Sequence, residues 1–379
     1  MNPLRRILAM PLEEQQLRGL TDTPREIAHQ PRAWMETVLA VRRAAPQLRE
    51  FMAGVPRLVF SGAGTSHFIG LSLEGLFRRA GMDARAVAST DIVADAAEAL
   101  PSGPLGMVSF ARSGNGPEGN HAFRLAPGAR HLVITCNPAA ELYRLAGERP
   151  GPVRLLLPEM TNDRGLAMTS SYSSMVVAGQ ALLMLDDLAA FEAHVRQMGD
   201  AAQRVLDQYP ERLEAVAARR PRRALFLGTG TLLGAAEAHL KVQEMTAGQV
   251  VGKAESFLGL RHGPMAVVDE ETLVVCFVSS GPSRRRYELD LMQELREKKL
   301  GQSVVAVADS NVGLEGLADL VVEVAPVGES LSDDCRPPVY VVAAQLLALF
   351  LSMEFGLKPD APSSGVINRV VQGVRIYEA

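Results

Sequence analysis

The chain has 379 residues, of which 47% are hydrophobic, 22% charged and 5% aromatic, and its formal net charge is −4. This composition is typical of a soluble globular protein with room for two domains, and the slightly acidic balance argues against a nucleic-acid partner. The three cysteines, Cys136, Cys276 and Cys335, are scattered and form no CxxC pair. That spacing argues against a disulfide framework or a structural zinc site.

The hydropathy of the chain gives no indication of a membrane partner. The N-terminal stretch MNPLRRILAMPLEEQQLRG has neither the apolar core nor the cleavage site of a signal peptide. The longest apolar stretch, VYVVAAQLLALFLSM (339–353), is shorter than the ~20 residues that a membrane-spanning helix needs. We therefore expect a buried core helix at this stretch and a cytoplasmic location.

Residues 1 to about 50 are predicted to form a helical arm. TPRE (23–26) fits a capping box, with Thr23 as the N-cap, Pro24 at the first helical position and Glu26 reaching back. This helix should break at Pro31, after which PRAWMETVLAVRRAA should continue as a second helix.

The stretch RLVFSGAGTSHFIG (57–70) predicts a buried strand, a glycine-rich turn and the start of a helix. Gly62 and Gly64 allow a tight turn and a close approach of the backbone to a ligand. Such a turn at a helix N-terminus favours an anion, but the dinucleotide fingerprint would need a third glycine where His67 stands. The turn alone therefore leaves open a dinucleotide or one phosphate held by hydroxyl groups.

The chain also contains an internal repeat. RLVFSGAGT matches RALFLGTGT, with Phe60 and Phe226 at an offset of 166 residues, and MVSFARSG matches VCFVSSG, with Gly114 and Gly281 at an offset of 167. HLVITCN and SVVAVAD form a third strand-like pair. Because two of these matches keep the same order and a nearly constant offset, they indicate a duplicated fold.

Strands that alternate with helical stretches predict parallel sheets covered by helices. We therefore expect an α/β protein with two similar doubly wound domains, at about 51–205 and 206–379, after the N-terminal arm. Ligands of such folds lie beyond the carboxyl ends of the strands, where both GAGTS and ARSGNG are predicted to lie.

The second turn, in SFARSGNGPEGNHAF (109–123), is a further candidate for phosphate binding. Ser113 and the backbone amides of Gly114, Asn115 and Gly116 could hold a phosphate. The alternative is an ordinary loop in which the serine caps a helix. Its place in the same half of the chain as GAGTS favours the functional interpretation.

The stretch NDRGLAMTSSYSSM (162–175) leads into a helix and is rich in hydroxyl groups. Helix capping explains one such residue. The five serine and threonine hydroxyl groups from Thr169 to Ser174 suggest a sugar-binding surface, and the pattern leaves both interpretations open.

Two stretches in the second half carry titratable side chains with candidate roles in catalysis. HLKVQEMTAG places Lys241 and Glu244 three residues apart on one helix face, which suits a surface salt bridge or a functional pair equally well. In AESFLGLRHGP (254–264), His262 precedes Gly-Pro and should lie in a turn, where it either faces a cavity or caps a helix.

Taken together, AGTS, RSGNGPE, AMTSSYSSM and ESFLGLRHGP resemble the sugar isomerase (SIS) domain family. Within that family the chain resembles the AgaS-type proteins, described as tagatose-6-phosphate ketose/aldose isomerases or galactosamine-6-phosphate deaminase/isomerases. It is also similar to the isomerase half of glucosamine-6-phosphate synthase, without the glutaminase half. The resemblance implies two flavodoxin-like SIS domains, and it implies that GAGTSHFIG holds a sugar phosphate and not a nucleotide.

The resemblance also implies roles for individual residues. Ser66 and Ser113 fall on phosphate-binding serines, and Thr169 lies in the segment that touches the sugar. The other substrate-binding candidates are Gly64, Thr65, Arg112, Gly114, Asn115, Ser170, Glu255 and Gln372.

The same resemblance implies an acid–base mechanism. Glu244 falls on the catalytic base and Lys241 on its neighbouring lysine. His262 falls on the ring-opening histidine, which in the family comes from a partner subunit, so we expect a homodimer or a higher homo-oligomer with shared sites. No metal or other cofactor is expected.

Three positions depart from the family pattern. Gly116 stands where the pattern usually has Ser or Thr, so one phosphate hydrogen bond should be missing. Gln372 stands near the position of a Schiff-base lysine in the synthase tail, and His67 stands where a small residue is usual.

The expected activity is conversion of a 2-amino-2-deoxyhexose 6-phosphate, with galactosamine 6-phosphate preferred, to a ketose 6-phosphate and ammonia. One alternative is an aldose–ketose isomerase that acts on tagatose 6-phosphate or a similar sugar phosphate. A second alternative is a non-catalytic regulator that binds a sugar phosphate. The joint presence of Glu244 and His262 favours an enzyme.

Overall fold

The computed structural model describes residues 2–148, 150–231, 234, 236–326, 328–363, 365–371 and 373–377. The chain forms two compact units. The sheet-one unit comprises Arg32–Asp163, Ser170–Arg196 and Gly365–Ala379, and the sheet-two unit comprises Met1–Pro31, Arg164–Thr169 and Gln197–Ser364. The domain limits expected from the sequence, at 51–205 and 206–379, stay predictions.

The described residues form sixteen α-helices and ten β-strands, numbered here in chain order. The helices are α1 Pro3–Leu8, α2 Leu12–Arg18, α3 Thr23–Ala28, α4 Gln30–Met52, α5 Thr65–Arg79, α6 Ser89–Ala94, α7 Ala96–Ala99, α8 Pro117–Leu125, α9 Glu141–Gly147, α10 Ser170–Ala181, α11 Leu188–Gln208, α12 Pro210–Ala217, α13 Ala238–Met245, α14 Phe257–Leu260, α15 Pro282–Glu297 and α16 Arg336–Glu354. The strands are β1 Arg57–Gly62, β2 Asp83–Ala88, β3 Gly106–Ala111, β4 Arg130–Thr135, β5 Val153–Leu156, β6 Arg223–Leu227, β7 Val251–Glu255, β8 Thr272–Phe277, β9 Ser303–Ala308 and β10 Leu320–Glu323. Short 3₁₀ turns cover Glu159–Thr161 and Pro264–Val267.

The N-terminus of α3 is capped by a residue far along the chain. The N-cap residue is Asp22, whose side chain makes no capping hydrogen bond, so the predicted role of Thr23 as N-cap is wrong. The carboxylate of Asp360 instead accepts hydrogen bonds from the backbone N–H groups of Thr21 at 2.7 Å, Asp22 at 3.1 Å and Thr23 at 2.7 Å. A carboxylate at a helix N-terminus satisfies donors that the helix itself leaves unpaired.

The predicted capping role of Glu26 is also replaced by another contact. Its carboxylate accepts hydrogen bonds from the backbone N–H groups of Arg164 and Gly165, the second at 3.2 Å. The helix break falls earlier than predicted, because α3 ends at Ala28 and α4 already includes Pro31 in its first turn. Proline fits there because the first helical N–H groups have no partner within the helix.

Sheet one is a five-stranded parallel sheet with the order β2-β1-β3-β4-β5. Five of the six residues of β3 are buried, and Ala111 is half-buried. This burial on both faces of the sheet explains why the strand sequence is almost entirely apolar. Ser61 of β1 is paired in register with Ser109 of β3. The turns that follow these two strands therefore leave the sheet at the same edge, on either side of the point where the strand order reverses.

Sheet two repeats this topology with the order β10-β9-β8-β6-β7, and all of its strands are parallel. Phe226 of β6 pairs with Val275 of β8, as Phe60 of β1 pairs with Val108 of β3. The duplication predicted from the sequence is therefore confirmed at the level of topology and register.

Helix α16 forms the core of the sheet-two unit. It packs against α12 and α13, and its residues from Arg336 to Ser352 are buried. By length and composition it is the one described helix that could cross a membrane, but 89% of its apolar stretch is buried within the protein. The prediction of a buried core helix is confirmed.

Candidate active site

The first glycine turn has a shape that only small residues permit. An added Cβ at Gly62 would lie 2.6 Å from the Cβ of Ser66, and Gly64 has a φ of 53°. Helix α5 starts immediately afterwards without a side-chain N-cap hydrogen bond, and Thr65 and Ser66 are buried in its first turn. A helix N-terminus of this kind favours a bound anion.

The second glycine turn is held by the residues that follow β4. Gly114 has a φ of 62°, and an added Cβ would lie 2.4 Å from that of Ala140. The side-chain amide of Asn137 donates to the backbone oxygen of Ser113 at 2.8 Å. The side-chain oxygen of Asn115 accepts from the backbone N–H of Glu141 at 2.9 Å, which fixes the Asn115 side chain against the start of α9.

These two turns form the candidate phosphate site of the sheet-one unit. They follow neighbouring strands at one edge, and neither α5 nor α8, which begins after Gly116, has a side-chain N-cap hydrogen bond. The structure therefore brings Gly64, Thr65 and Ser66 to the same edge as Ser113. Hydroxyl groups and helix N-termini at one edge suit a single phosphate group.

Next to the second turn lies an arginine pair that the sequence interpretation did not connect. Arg112, 7% exposed, donates from Nη2 to the backbone oxygen of Arg369 at 2.9 Å. Arg369 in turn donates to the backbone oxygen of Asp163 at 2.8 Å and to the side-chain oxygen of Asn162 at 2.6 Å. The segment around Arg369 is thus attached to the residue that precedes Ser113.

Asp163 organises the hydroxyl-rich segment. Its carboxylate accepts from the backbone N–H of Ser170 at 3.2 Å and from the hydroxyl of Ser170 at 2.6 Å, and it accepts from both donors of Ser171. Thr169, Ser170, Ser171, Ser173 and Ser174 are all 0% exposed. These hydroxyl groups therefore lie at a buried helix start that Asp163 caps, as the capping interpretation expects, and the sugar-binding interpretation stays a prediction.

Contact of a sugar with Thr169 or Ser170 stays a prediction. The backbone oxygen of Thr169 accepts from the side-chain amide of Gln345 at 3.4 Å within the sheet-two unit. The aspartate that engages Ser170 stands seven residues before it, so an Asp ahead of a Thr-Ser-Ser run was the available signal.

Cys136, which follows β4 in the sheet-one unit, is completely enclosed. Burial raises the pKa of its thiol to about 12, and the neighbouring charges of Asp163, Arg112 and Arg369 act on it with opposite signs. The thiol is therefore protonated at neutral pH and is no candidate nucleophile.

Lys241 of the sheet-two unit is a fully buried cation between two carboxylates. Its side chain is 0% exposed, its Nζ lies 3.2 Å from Oε1 of Glu237, and it also makes an ion pair with Glu244. Burial by itself lowers the pKa of Lys241, but the charges of Glu237 and Glu244 outweigh this effect, so the pKa is raised. Lys241 is therefore charged at neutral pH, and the surface salt-bridge interpretation is wrong.

The two carboxylates differ in their access to solvent. The side chain of Glu237 is 0% exposed, whereas that of Glu244 is 26% exposed. Glu244 alone of the three can therefore reach a molecule outside the core of the unit. Sequence interpretation missed Glu237, although its spacing of four residues from Lys241 on one helix was a signal for an ion pair.

Glu255 and His262 lie at and after the end of β7. The Glu255 carboxylate accepts from the backbone N–H of Ser256 at 2.9 Å and lies 3.5 Å from the ammonium group of Lys253. His262 is exposed and precedes Gly263, whose φ is 115°, as expected for a turn. Among the described residues, no hydrogen bond or ion pair joins His262 to Glu244.

Two further sequence observations have different outcomes. His67 is half-buried in the first turn of α5, and burial lowers its pKa, so its ring is neutral at pH 7. Gln372, predicted near the substrate, lies outside the described residues.

Known proteins resemble the chain over nearly its whole length. The D-galactosamine-6-phosphate deaminase AgaS of Escherichia coli is 38% identical over 371 residues, which cover 94% of this chain and 96% of that protein. The crystal structure of tagatose-6-phosphate ketose/aldose isomerase from Escherichia coli matches with a TM-score of 0.85 at 35% identity, over 94% of this chain and 96% of that one. A solved structure from Clostridium novyi matches with a TM-score of 0.93 at 33% identity, over 98% of this chain and 99% of that one. No family model matches the chain.

Two doubly wound sheets of the same topology, each with paired glycine turns at its edge, define a protein of two SIS domains. Because the Escherichia coli AgaS protein is 38% identical to this chain over nearly the full length of both, the chain belongs to the AgaS family of SIS proteins. The expected fold and the resemblance stated from the sequence are both confirmed.

Proposed function

We propose that the protein is an amino-sugar-phosphate deaminase/isomerase. It converts a 2-amino-2-deoxyhexose 6-phosphate, with the galacto isomer preferred, to a ketose 6-phosphate and ammonia. The observation that carries this proposal is the buried Lys241, which holds the partly exposed carboxylate of Glu244. The name and 38% identity of the Escherichia coli relative support the choice of substrate.

The proposed chemistry needs one proton transfer between neighbouring carbons. After His262 assists opening of the sugar ring, Glu244 takes the proton from C2 and delivers it to C1. The amine on C2 loses a proton and the aldehyde oxygen on C1 gains one, so the product has a ketimine at C2 and a hydroxyl group at C1. Water adds to the ketimine and expels ammonia, so the product is the ketose 6-phosphate. Lys241 holds the Glu244 carboxylate in place through their ion pair, and stabilises negative charge that develops nearby.

The phosphate is proposed to bind at the edge of sheet one. Ser66 and Ser113 supply hydroxyl groups, and the turns with Gly64 and Gly114 supply backbone N–H groups. The support is the pair of helix N-termini without side-chain caps. Neither this binding nor the proton transfer needs a metal or another cofactor.

An assay for ammonia tests the reaction. Galactosamine 6-phosphate, glucosamine 6-phosphate and tagatose 6-phosphate are incubated separately with the protein, and ammonia is followed with a coupled glutamate dehydrogenase reaction. We expect ammonia from the galacto amino sugar, less from the gluco isomer and none from the ketose. If both amino sugars give none while tagatose 6-phosphate equilibrates with its aldose, the deaminase proposal fails.

That last outcome would favour the second candidate function, a plain aldose–ketose isomerase. The name of the Escherichia coli structure supports this alternative. The same residues would serve it, because a hydroxyl group at C2 in place of the amine turns the proton transfer into an isomerisation without loss of ammonia.

We further propose a cytoplasmic homodimer in which His262 completes the site of the partner. The support is the exposed position of His262 on its own chain and the absence of a contact with Glu244 among the described residues. A twofold dimer would then contain two shared sites.

Complementation tests the shared site. The inactive variants Glu244→Gln and His262→Ala are mixed, unfolded and refolded together, and the heterodimer is isolated by two different affinity tags. We expect activity to return, since one of the two sites then has both residues intact. An inactive heterodimer, with each variant homodimer shown to be folded, would place both residues in one subunit.

A further inference from the structure

The second sheet carries its own copy of the paired glycine turns. GTGT (228–231) follows β6 as GAGT follows β1, and SSG (279–281) follows β8 as RSG follows β3. Strands β6 and β8 are neighbours, with Leu227 paired to Cys276. Helix α15 begins after the second of these turns, has 16 residues and makes no side-chain N-cap hydrogen bond. This edge therefore has the backbone layout of the candidate phosphate site.

A carboxylate of the chain itself takes up the donors at this edge. Oδ1 of Asp333 accepts from the backbone N–H of Ser280 at 2.8 Å and from its hydroxyl at 3.0 Å. Ser280 corresponds to Ser113 in the repeat. Because Asp333 engages both donors of this serine, it lies where a phosphate oxygen would lie in the first copy.

Two arginines complete the surroundings of that carboxylate. Nη1 of Arg284 lies 3.5 Å from Oδ2 of Asp333, and Nη1 of Arg336 lies 3.3 Å from Oδ1. Arg336 also pairs with Asp309, whereas Asp333 is the one ion-pair partner of Arg284 among the described residues. Loss of the Asp333 charge would therefore leave the Arg284 guanidinium without its anion.

The GTGT turn of sheet two lies close to the Arg284 guanidinium and also carries the hydroxyl group of Thr231. Nη1 of Arg284 lies 3.4 Å from the position of an added Cβ at Gly230, so its guanidinium reaches both turns. Thr231 is 1% exposed, and within the described parts of the chain its hydroxyl has no hydrogen-bond partner. Glu288 is the second carboxylate here, and it accepts from the N–H and the hydroxyl of Ser279, both at 2.7 Å.

We propose that Asp333 is a tethered anion that closes a second phosphate site, and that this site accepts inorganic phosphate or a phosphate monoester once the Asp333 charge is removed. This inference rests on one part of the proposed function, namely that the two glycine turns of sheet one bind the phosphate. The inference explains why only one of the two repeated edges would bind phosphate. The edge of sheet two has the hydrogen-bond donors, but a carboxylate of the same chain already accepts from them.

The test is a titration of the full-length protein with inorganic phosphate by calorimetry. The variants are Asp333→Ala and Asp333→Ser, which remove the carboxylate and vacate its place, and the matched control is Glu329→Gln, which removes an exposed carboxylate from the same segment. We expect each Asp333 variant to bind one more phosphate per chain than wild type, at least about tenfold more tightly than any second binding event in wild type. The Glu329→Gln protein should behave as wild type.

A second change identifies where the additional phosphate binds. Arg284→Gln combined with Asp333→Ala should abolish the additional site, whereas Ser113→Ala combined with Asp333→Ala should weaken only the first site. The proposal is overturned if folded Asp333→Ala protein binds no additional phosphate, or if the additional site survives loss of Arg284. Asp333→Ser also vacates the place of the carboxylate, so it decides the question even if Asp333→Ala does not fold.

The same titration separates this proposal from the proposed function. If wild type binds no phosphate but Asp333→Ala binds one that depends on Arg284, the closed second site stands and the assignment of the first turns to phosphate fails. If wild type binds one phosphate that depends on Ser113 and Asp333→Ala binds no more, the assignment of the first turns stands and the closed second site fails.

Discussion

Glu244→Gln should lower kcat by about a thousandfold or more while substrate affinity changes by less than about tenfold. The amide has nearly the same shape as the carboxylate but cannot accept the C2 proton. Because Glu244 is proposed to act in the chemical step and the phosphate is proposed to bind elsewhere, loss of the base should affect turnover and not anchoring. Steady-state kinetics and calorimetry with the amino-sugar phosphate measure the two effects separately.

The matched control for this variant is Glu297→Gln on α15. It makes the same chemical change at an exposed glutamate, so turnover should equal that of wild type. Glu244→Gln protein that retains at least a tenth of the wild-type kcat would show that another group moves the proton.

Lys241→Met should lower the free energy of unfolding by about 3–5 kcal/mol, more than any other single substitution proposed for this protein. The substitution keeps most of the apolar packing but leaves Glu237, which is 0% exposed, without the cation that lies 3.2 Å away. A buried carboxylate that loses its neighbouring cation is costly because burial has already removed its hydration. Urea unfolding followed by circular dichroism measures the change.

Two further variants separate charge burial from loss of a lysine as such. Lys298→Met removes the cation of an exposed pair with Glu294, in which the lysine side chain is 53% exposed, and should destabilise far less. Lys241→Met combined with Glu237→Gln should recover much of the lost stability, since the buried negative charge is then removed together with the buried positive one. The double variant should still lack activity, because Lys241 then no longer holds Glu244 in position. A double variant as unstable as Lys241→Met alone would contradict this account.

The sequence predicted the sheets well because short-range pattern determines them. Apolar strands ending in glycine turns repeat at nearly constant spacing, and the shared register of Phe60 with Val108 and of Phe226 with Val275 follows from that repeat. The turns that carry Ser66 and Ser113 were found for the same reason. Their positive-φ glycines leave a local signature that needs no knowledge of distant residues.

The contacts that the sequence did not predict are those between residues far apart in the chain. Thr23 has the right neighbours for a capping box, but an aspartate more than 300 positions later caps the helix. Likewise nothing local connects Arg112 to Arg369, 257 positions away. Solvent exposure was the other property that the sequence did not give. The spacing of Lys241 and Glu244 places them on one helix face, but it does not show whether that face is buried or exposed to solvent.

The cap that Asp360 provides for α3 has a consequence for the order of events during synthesis. Residues 1–31 belong to the unit built mainly from residues 197–364, whereas sheet one is complete by residue 156. Domains fold as units while the ribosome is still working, so sheet one can form early. Helix α3 can gain its capping carboxylate only after residue 360 has been synthesised. For most of translation the first segment of the chain therefore lacks the carboxylate that caps α3 in the finished protein.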